Sequence, residues 1–232
     1  MPSDWDLMHM HVEALFTHDI HQRLYTVNEP DGAPAPRFYL GRTPEGNLCR
    51  FRADVPDSLV QRVETLCADE PFTNDLRTPP RHCEAYQELL HAYAPIERLW
   101  MGPAYQFPDE LPPAPQVVRI TQENEDLLRL GFADLMPELA ARQPCVAVVQ
   151  TGRAVSICCS VRITSQAHEA GLETLPAYRG KGYAAQVVAG WAAGVREVGA
   201  VPMYSTDWEN SASQGVARKV GLVLYGVDFH VT

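Results

Sequence analysis

The 232-residue sequence predicts an α/β (α+β) chain in two halves of nearly equal size. Short β-like runs alternate with helical ones from end to end, the pattern of sheet and helix layers packed around a core. Between the halves, "FPDELPPAPQ" at 107–116 holds four prolines in ten residues, which neither a helix interior nor a central strand accommodates. In the second half, "LPAYRGKGYAAQVVAGW" (175–191) sets two glycines and two cations directly ahead of an alanine- and valine-rich helical run.

In the first half a helix is expected near 4–17, then strands in "RLYTV", "RFYLGR" and "NLCRFRADV", set apart by Pro/Gly-rich turns. "DSLVQRVETLCADE" predicts a helix starting at Asp57 or Ser58, with Leu59, Val63, Leu66 and Cys67 on one face. A second helix near 82–93 leads into a strand in "IERLWMGPAYQF". No motif here carries a chemistry that can be named.

The second half opens with a strand in "VVRIT" and a helix in "QENEDLLRLGFADLMPEL", with Pro137 marking a kink or break. "CVAVVQTGRAVSICCSVRI" has Thr151, Gly152 and Arg153 between two apolar runs and predicts a hairpin. "EAGLETL" follows as a strand, then a helix over 183–198. In that helix Ala184, Val187, Val188, Trp191, Ala192 and Val195 form one buried stripe. A strand in "VPMYSTD", a short helix in "SASQGVARKVG" with Asn210 as its N-cap and Gly221 as its stop, and a strand in "LVLYGVDFHV" complete the chain.

Composition narrows the function class. An apolar fraction of 46% and a charged fraction of 21% are ordinary for a globular protein. The N-terminus lacks a basic segment followed by an apolar one, so no secretory signal is expected, and a cytoplasmic location follows. The six cysteines have no CxxC spacing and are expected to be reduced core thiols; the eight histidines are scattered, and no metal site is expected. A formal charge of −10 argues against a nucleic-acid partner, and no run is long enough to span a membrane. A cationic or neutral small substrate is mildly favoured.

A helix start leaves main-chain N–H groups unpaired and carries partial positive charge, and glycines let that backbone approach phosphate oxygens closely. Strand, "RGKGYA" and helix therefore make a pyrophosphate cradle, with Arg179 and Lys181 adding charge at its rim. A plain tight turn with solvated cations is the competing reading. A Walker loop fails because Gly182 follows the lysine. The dinucleotide fingerprint GxGxxA fits Gly180, Gly182 and Ala185, but "PAYR" separates strand from glycine, and only about fifty residues remain for the sheet that fold requires.

"LPAYRGKGYA" resembles the acyl-CoA loop of the GNAT acetyltransferase superfamily, Q/R-x-x-G-x-G/A, through Arg179, Gly182 and Ala184. "NSASQGVARKVGL" is similar to the family's next helix through Asn210, Ser213, Lys219, Gly221 and Leu222, and the element order agrees. The likeness covers roughly 116–230; the first half is at best similar to the N-terminal lobe of glycine N-acyltransferase-like members. The resemblance implies the GNAT fold, a mixed sheet flanked by helices, with a divergent N-terminal α+β lobe (1–110) ahead of the acetyltransferase domain (116–232). It implies transfer of an acetyl group from acetyl-CoA to an amine of a small molecule or peptide. A non-catalytic acyl-CoA-binding or sensor protein on the same fold is the alternative, and a homodimer is left open.

Carried onto this chain, the pantetheine arm would pair with Leu172 to Thr174 and the pyrophosphate would sit on Arg179, Gly180, Lys181, Gly182, Tyr183 and Ala184. Asn210 matches a pantetheine-contacting position, a role that competes with capping. The tyrosine that often protonates the thiolate is replaced by Ala217, with Tyr204 or Tyr225 as substitutes within reach. Family bases commonly lie early on the strand before the loop, which points to His168 and Glu169. Alternation puts these two on opposite faces, His168 with Ala170, Leu172 and Thr174, and Glu169 with Gly171, Glu173 and Leu175. Glu169 is slightly favoured, because a carboxylate also attracts a cationic acceptor; a polar strand end at the surface is the bland alternative.

Overall fold

The computed structural model describes residues 2–30 and 32–232. In chain order it contains α1 (Asp4–Leu15), β1 (Phe16–His18), β2 (Leu24–Val27), β3 (Phe38–Thr43), β4 (Gly46–Phe51), α2 (Asp57–Ala68), α3 (Cys83–Tyr93) and β5 (Leu99–Gln106). Then come β6 (Val117–Arg119), β7 (Cys145–Gln150), β8 (Arg153–Ile163), β9 (Ala167–Thr174), α4 (Tyr183–Glu197), β10 (Val201–Ser205), α5 (Ser211–Val220) and β11 (Val223–Val231). Two units result: Met1–Tyr105 with Ser205–Asn210 and Leu224–Thr232, and Gln106–Tyr204 with Ser211–Val223.

In the first unit a Ser3–Asp6 capping box starts α1, and the sheet runs β4–β3–β11–β5, with β3 antiparallel to both neighbours. β3 is buried along its whole length, and its Phe38 packs with Phe51, Tyr86 and Phe229 under α2 and α3. α2 begins at Asp57, but Pro56 is its cap and no side chain closes it. Charged groups are buried here and held by main chain. The Arg37 guanidinium donates to the carbonyls of Leu90, Ala94 and Pro95 at 3.3, 2.8 and 2.7 Å.

In the second unit the sheet runs β10–β9–β8–β7–β6. β9 and β10 are parallel and the other pairs antiparallel, so the sheet is mixed. α4 lies against β7, β8 and β9, and buries Val187, Val188, Ala189, Trp191, Ala192 and Val195. The β7–β8 hairpin turns through Thr151 and Gly152, both with positive φ (49° and 76°), a two-residue turn whose twist suits paired strands.

The opposite face is covered differently from expectation. Instead of a helix through 122–139 there are two 3₁₀ segments, Gln122–Leu128 and Ala133–Glu138. Asn124 leaves helical backbone (φ −131°), accepts from the Thr121 N–H at 2.8 Å and donates to the Arg119 carbonyl at 2.9 Å. A side chain that bonds neighbouring main chain competes with the helix ladder, and Gly131 and Pro137 interrupt what is left. The apolar residues still reach the sheet: Leu128, Phe132 and Leu139 pack on Cys145, Ala147, Ile157 and Cys159.

Candidate active site

β9 and β10 are in register only at Ala167/Val201, His168/Pro202 and Glu169/Met203. β9 runs on to Thr174, and from Ala170 onward its ladder is with β8 alone. The strands therefore part just beyond Glu169, and residues 170–174 present a main-chain edge, partly exposed, with no strand among the described residues on the β10 side. That stretch includes Leu172 and Thr174. β8 carries a bulge between Ser160 and Arg162 opposite this point, and a Cβ on Gly171 would stand 2.1 Å from the Val161 side chain, so glycine is required there.

His168 and Glu169 face opposite sides, and their surroundings differ. His168, 7% exposed, has Nδ1 2.9 Å from Ser160 Oγ, and the Trp191 indole N–H of α4 donates to the same oxygen at 3.1 Å. An indole only donates, which leaves the serine hydroxyl hydrogen for Nδ1 of a neutral imidazole. Burial pushes the His168 pKa down, which agrees with the neutral form. Glu169, 2% exposed, lies on the other face, at the last rung before the strands part.

After β9, Pro176–Tyr178 form a 3₁₀ turn, and Gly180 and Gly182 take left-handed φ values of 76° and 81°. Gly182 is the N-cap of α4, with no capping side chain. Among the described residues nothing accepts a hydrogen bond from the main-chain amides of 180–184, and a Cβ on Gly180 or Gly182 would meet nothing within 4 Å. The N-terminal turn of α4, with Tyr183 and Ala184, thus offers open donors and a positive dipole end to an anion.

Cations gather around these donors. Arg179 Nε donates to the Thr174 carbonyl at 3.2 Å, and Lys181 Nζ lies 4.8 Å from the centre of the Tyr178 ring. Arg153 was read only as a turn residue, yet its Nη2 donates to the Tyr178 hydroxyl at 3.1 Å, and its guanidinium sits 5.6 Å over the same ring. The Arg153 hydrogen bond, helped by the charges of Arg153 and Lys181, lowers the Tyr178 pKa. Nothing local in the sequence marks Arg153; the pairing of β8 with β9 brings it here.

Asn210 is exposed in the turn before α5, its N–H donates to the Asp207 carbonyl at 3.1 Å, and its segment, Ser205–Asn210, belongs with the first unit. Ala217 is buried in α5 and carries no hydroxyl. The Tyr204 hydroxyl lies 2.6 Å from Ser213 Oγ, and Tyr225 is fully buried in the first unit, edge-on to His11 at 6.3 Å. No helix among the described residues is long and apolar enough to cross a membrane, and no three His, Cys, Asp or Glu side chains among them gather as a metal site needs.

The family model of the GNAT acetyltransferases matches residues 141–226, from the turn before β7 into β11. Among curated proteins none matches. A GCN5-related N-acetyltransferase from Kribbella flavida superposes with a TM-score of 0.50 at 15% identity, over 100% of this chain and 95% of that one. A GNAT-family acetyltransferase from Colwellia psychrerythraea gives 0.50 at 15% identity, over 80% and 76%. A chain from Novosphingobium aromaticivorans ascribed to the same family, at 17% identity and a TM-score of 0.45, aligns over 59% of this chain and only 65% of its own length. At such identities likeness carries the fold and not the chemistry. The protein has the GNAT fold, and its residues 141–226 match the GNAT acetyltransferase family model.

Proposed function

We propose that the protein is an N-acetyltransferase that moves the acetyl group of acetyl-CoA to an amine. The observation that carries this reading is the parting of β9 from β10 beyond Glu169, followed directly by the open amides of 180–184. An extended amide-bearing arm fits the free edge at Leu172–Thr174, and a pyrophosphate fits the amides and cations that come next. The transferase domain is the 116–232 span, which contains the matched residues 141–226. The division from the 1–110 lobe, and the finer likeness to glycine N-acyltransferase-like proteins, belong to this proposal.

Acetyl-CoA supplies an activated thioester carbonyl. The incoming amine must lose a proton as its C–N bond forms, and the departing thiolate must gain one as the C–S bond breaks. We assign the first task to Glu169, directly or through one water, because it stands where the strands part. His168, closed into the Ser160–Trp191 network, holds the strand in place instead. With Ala217 at the usual tyrosine position, water is the donor to the thiolate. Asn210 keeps its proposed pantetheine contact. The formal charge of −10 suits a cationic amine, and a cytoplasmic location suits six free thiols.

A second reading, a non-catalytic acyl-CoA-binding or sensor protein, is favoured by the missing hydroxyl at Ala217. The test is release of free thiol from acetyl-CoA across amino acids, polyamines, aminoglycosides and simple amines. Turnover with any amine supports the transferase. Stabilisation by coenzyme A with no turnover selects the binding protein, and neither effect rejects both.

A further inference from the structure

Arg153 opens β8, and the antiparallel register of that strand puts it beside the glycine loop. Ser156 is paired with Thr174, and the Leu175 N–H donates to the Val155 carbonyl at 3.0 Å, so the residues before Val155 run alongside the Pro176–Tyr178 turn. The guanidinium ends on Tyr178, giving an Nη2–H to its hydroxyl and lying over its ring. Lys181 Nζ lies over the same ring, carried there by the glycine turn that follows. Two cations from separate elements thus share one aromatic ring, Arg153 half-buried and Lys181 exposed.

Like charges gathered in this way repel one another, and an aromatic face offsets only part of that. The chain is rich in acids, and other arginines find them: Arg52 pairs with Asp54, Arg129 with Asp126 and Arg142 with Glu138. Among the described residues, Arg153, Arg179 and Lys181 pair with no carboxylate. The Tyr178 hydroxyl is the one acceptor among them for the side-chain donors of Arg153, so most of its guanidinium edge stays open.

These cations suit an anion of higher charge than the amides of 180–184 need. A pyrophosphate joined at both ends carries about one negative charge per phosphorus, which main-chain amides at a helix start meet well. A phosphate monoester carries about two negative charges at neutral pH on three terminal oxygens, and a guanidinium fork with an ammonium beside it matches that. Coenzyme A has both groups, the pyrophosphate and a monoester on the 3′ oxygen of its ribose.

We propose that Arg153 and Lys181, held in place by Tyr178, bind the 3′-phosphate of the acyl donor and set a preference for coenzyme A over its 3′-dephospho form. This rests on the acetyl-CoA reading, and the test separates the two. Isothermal titration of the full chain compares coenzyme A with 3′-dephospho-coenzyme A at low and high salt. Wild type should hold coenzyme A about tenfold or more tighter, the scale of one charge-assisted hydrogen bond. The preference should shrink as salt rises, because both cations reach solvent. Arg153→Gln should bring the two Kd values to within about threefold of each other and leave that of 3′-dephospho-coenzyme A where it was. Lys181→Gln should shrink the preference less, since an ammonium offers no fork. A purely structural Arg153, bracing the loop, would instead make Arg153→Gln weaken both ligands alike, and that result overturns the proposal. If Arg153→Gln melts too low to titrate, Lys181→Gln decides, and an unchanged preference there overturns it. Equal affinity of wild type for the two ligands also overturns it and leaves the acetyl-CoA reading standing. Binding of neither ligand removes both.

Discussion

The two units keep their polar groups in opposite ways. In the first, charged side chains lie inside: Arg37, Arg42, Arg50, Glu70, His11 and Asp228 are all buried. In the second, main-chain polar groups are left open, at the free edge of β9 and the first turn of α4. Main-chain amides suit a ligand whose oxygens and amides repeat along its length, and they need glycine and an unfinished ladder. A buried side-chain charge suits one compact partner inside the protein, as with Asp228.

The largest effect expected from breaking this contrast is at Asp228. Its oxygens lie 2.7 Å from His11 Nε2 and 2.8 Å from the Tyr39 hydroxyl that donates to it, with all three residues fully buried. Asp228→Ala removes the buried carboxylate that both groups bond and should cost about 3–5 kcal/mol in urea unfolding. Burial pushes the Asp228 pKa up, but the charge and hydrogen bond of His11, the charge of His230 and the Tyr39 hydroxyl outweigh it and hold the pKa down. A depressed carboxyl contributes stability that is full above its unfolded value, near pH 4, and lost as pH falls through the folded value. Asp228→Asn should therefore show a flatter loss of stability below about pH 4 than wild type. Parallel acid limbs in the two proteins would remove Asp228 from the account.

Next in size is the pair that adjacent positions of β9 put on opposite faces. Glu169→Gln should keep acetyl-CoA affinity and lower kcat/KM about a hundredfold or more, the usual range for a general base. His168→Ala should do the reverse. It leaves the Ser160 hydroxyl without its acceptor, costs about 1–3 kcal/mol of stability, and spares most of the turnover of the folded fraction. Because burial lowers the His168 pKa, its contribution is full above its unfolded value near 6.5 and declines as pH falls below it. Pre-steady-state rates and melting curves of both variants check this. A hundredfold rate loss in His168→Ala, with Glu169→Gln untouched, would exchange the two roles.

A smaller effect tests whether main chain is the ligand-binding surface. Gly182→Val puts a branched side chain where phosphate should meet the backbone, and should weaken acetyl-CoA more than tenfold, roughly 1.4 kcal/mol or more. Strain alone also penalises valine at a φ of 81°, so Gly152→Val in the β7–β8 turn, at 76° and likewise facing open space, is the matched control. Both variants should melt lower than wild type by similar amounts. Coenzyme A should then stabilise wild type and Gly152→Val alike, and Gly182→Val much less. Equal stabilisation of all three proteins would mean the amides of 180–184 hold no phosphate.

The same contrast explains what was legible in the sequence. A glycine forced to positive φ announces itself by residue type, and so do a proline run and an apolar period. Thus the turn and helix of 175–191, the hairpin and most of the α4 stripe emerge from the sequence, although Ala184 is only half-buried and Ala189 joins the buried face. The strand parting is not legible, since it depends on where the β9–β10 register ends. Nor are the surroundings of His168 and Glu169: alternation separates their faces, but only the structure brings Ser160 and the Trp191 indole of α4 to His168. Arg153 is invisible because a lone arginine looks the same whether its guanidinium is solvated or paired. The helix expected over 122–139 failed for a local reason, the main-chain bonds of Asn124.

The smallest expected effect concerns the proline-rich segment between the halves, expected as a free connector. It has no regular structure, and Asp109, Glu110, Pro113, Pro115 and Gln116 are exposed. Its first residues, however, are tied down. Phe107 is 5% exposed with its ring 5.9 Å from that of Trp191. Arg196 at the end of α4 donates through Nη1 to the Asp109 carbonyl at 2.8 Å, and through Nη2 to those of Pro108 and Phe107 at 2.7 and 3.4 Å. Protease must first open a backbone stretch, so cleavage should start in 110–116 and spare the Phe107–Pro108 bond. Arg196→Ala removes the charged donor and should ease opening by about 1–1.5 kcal/mol, speeding cleavage roughly five- to tenfold where opening precedes cutting. Timed proteolysis with mass mapping reads both the site and the rate. First cuts within 105–108, or a rate unaffected by Arg196→Ala, would show that this clasp does not restrain the segment and that the opening step lies elsewhere in the chain.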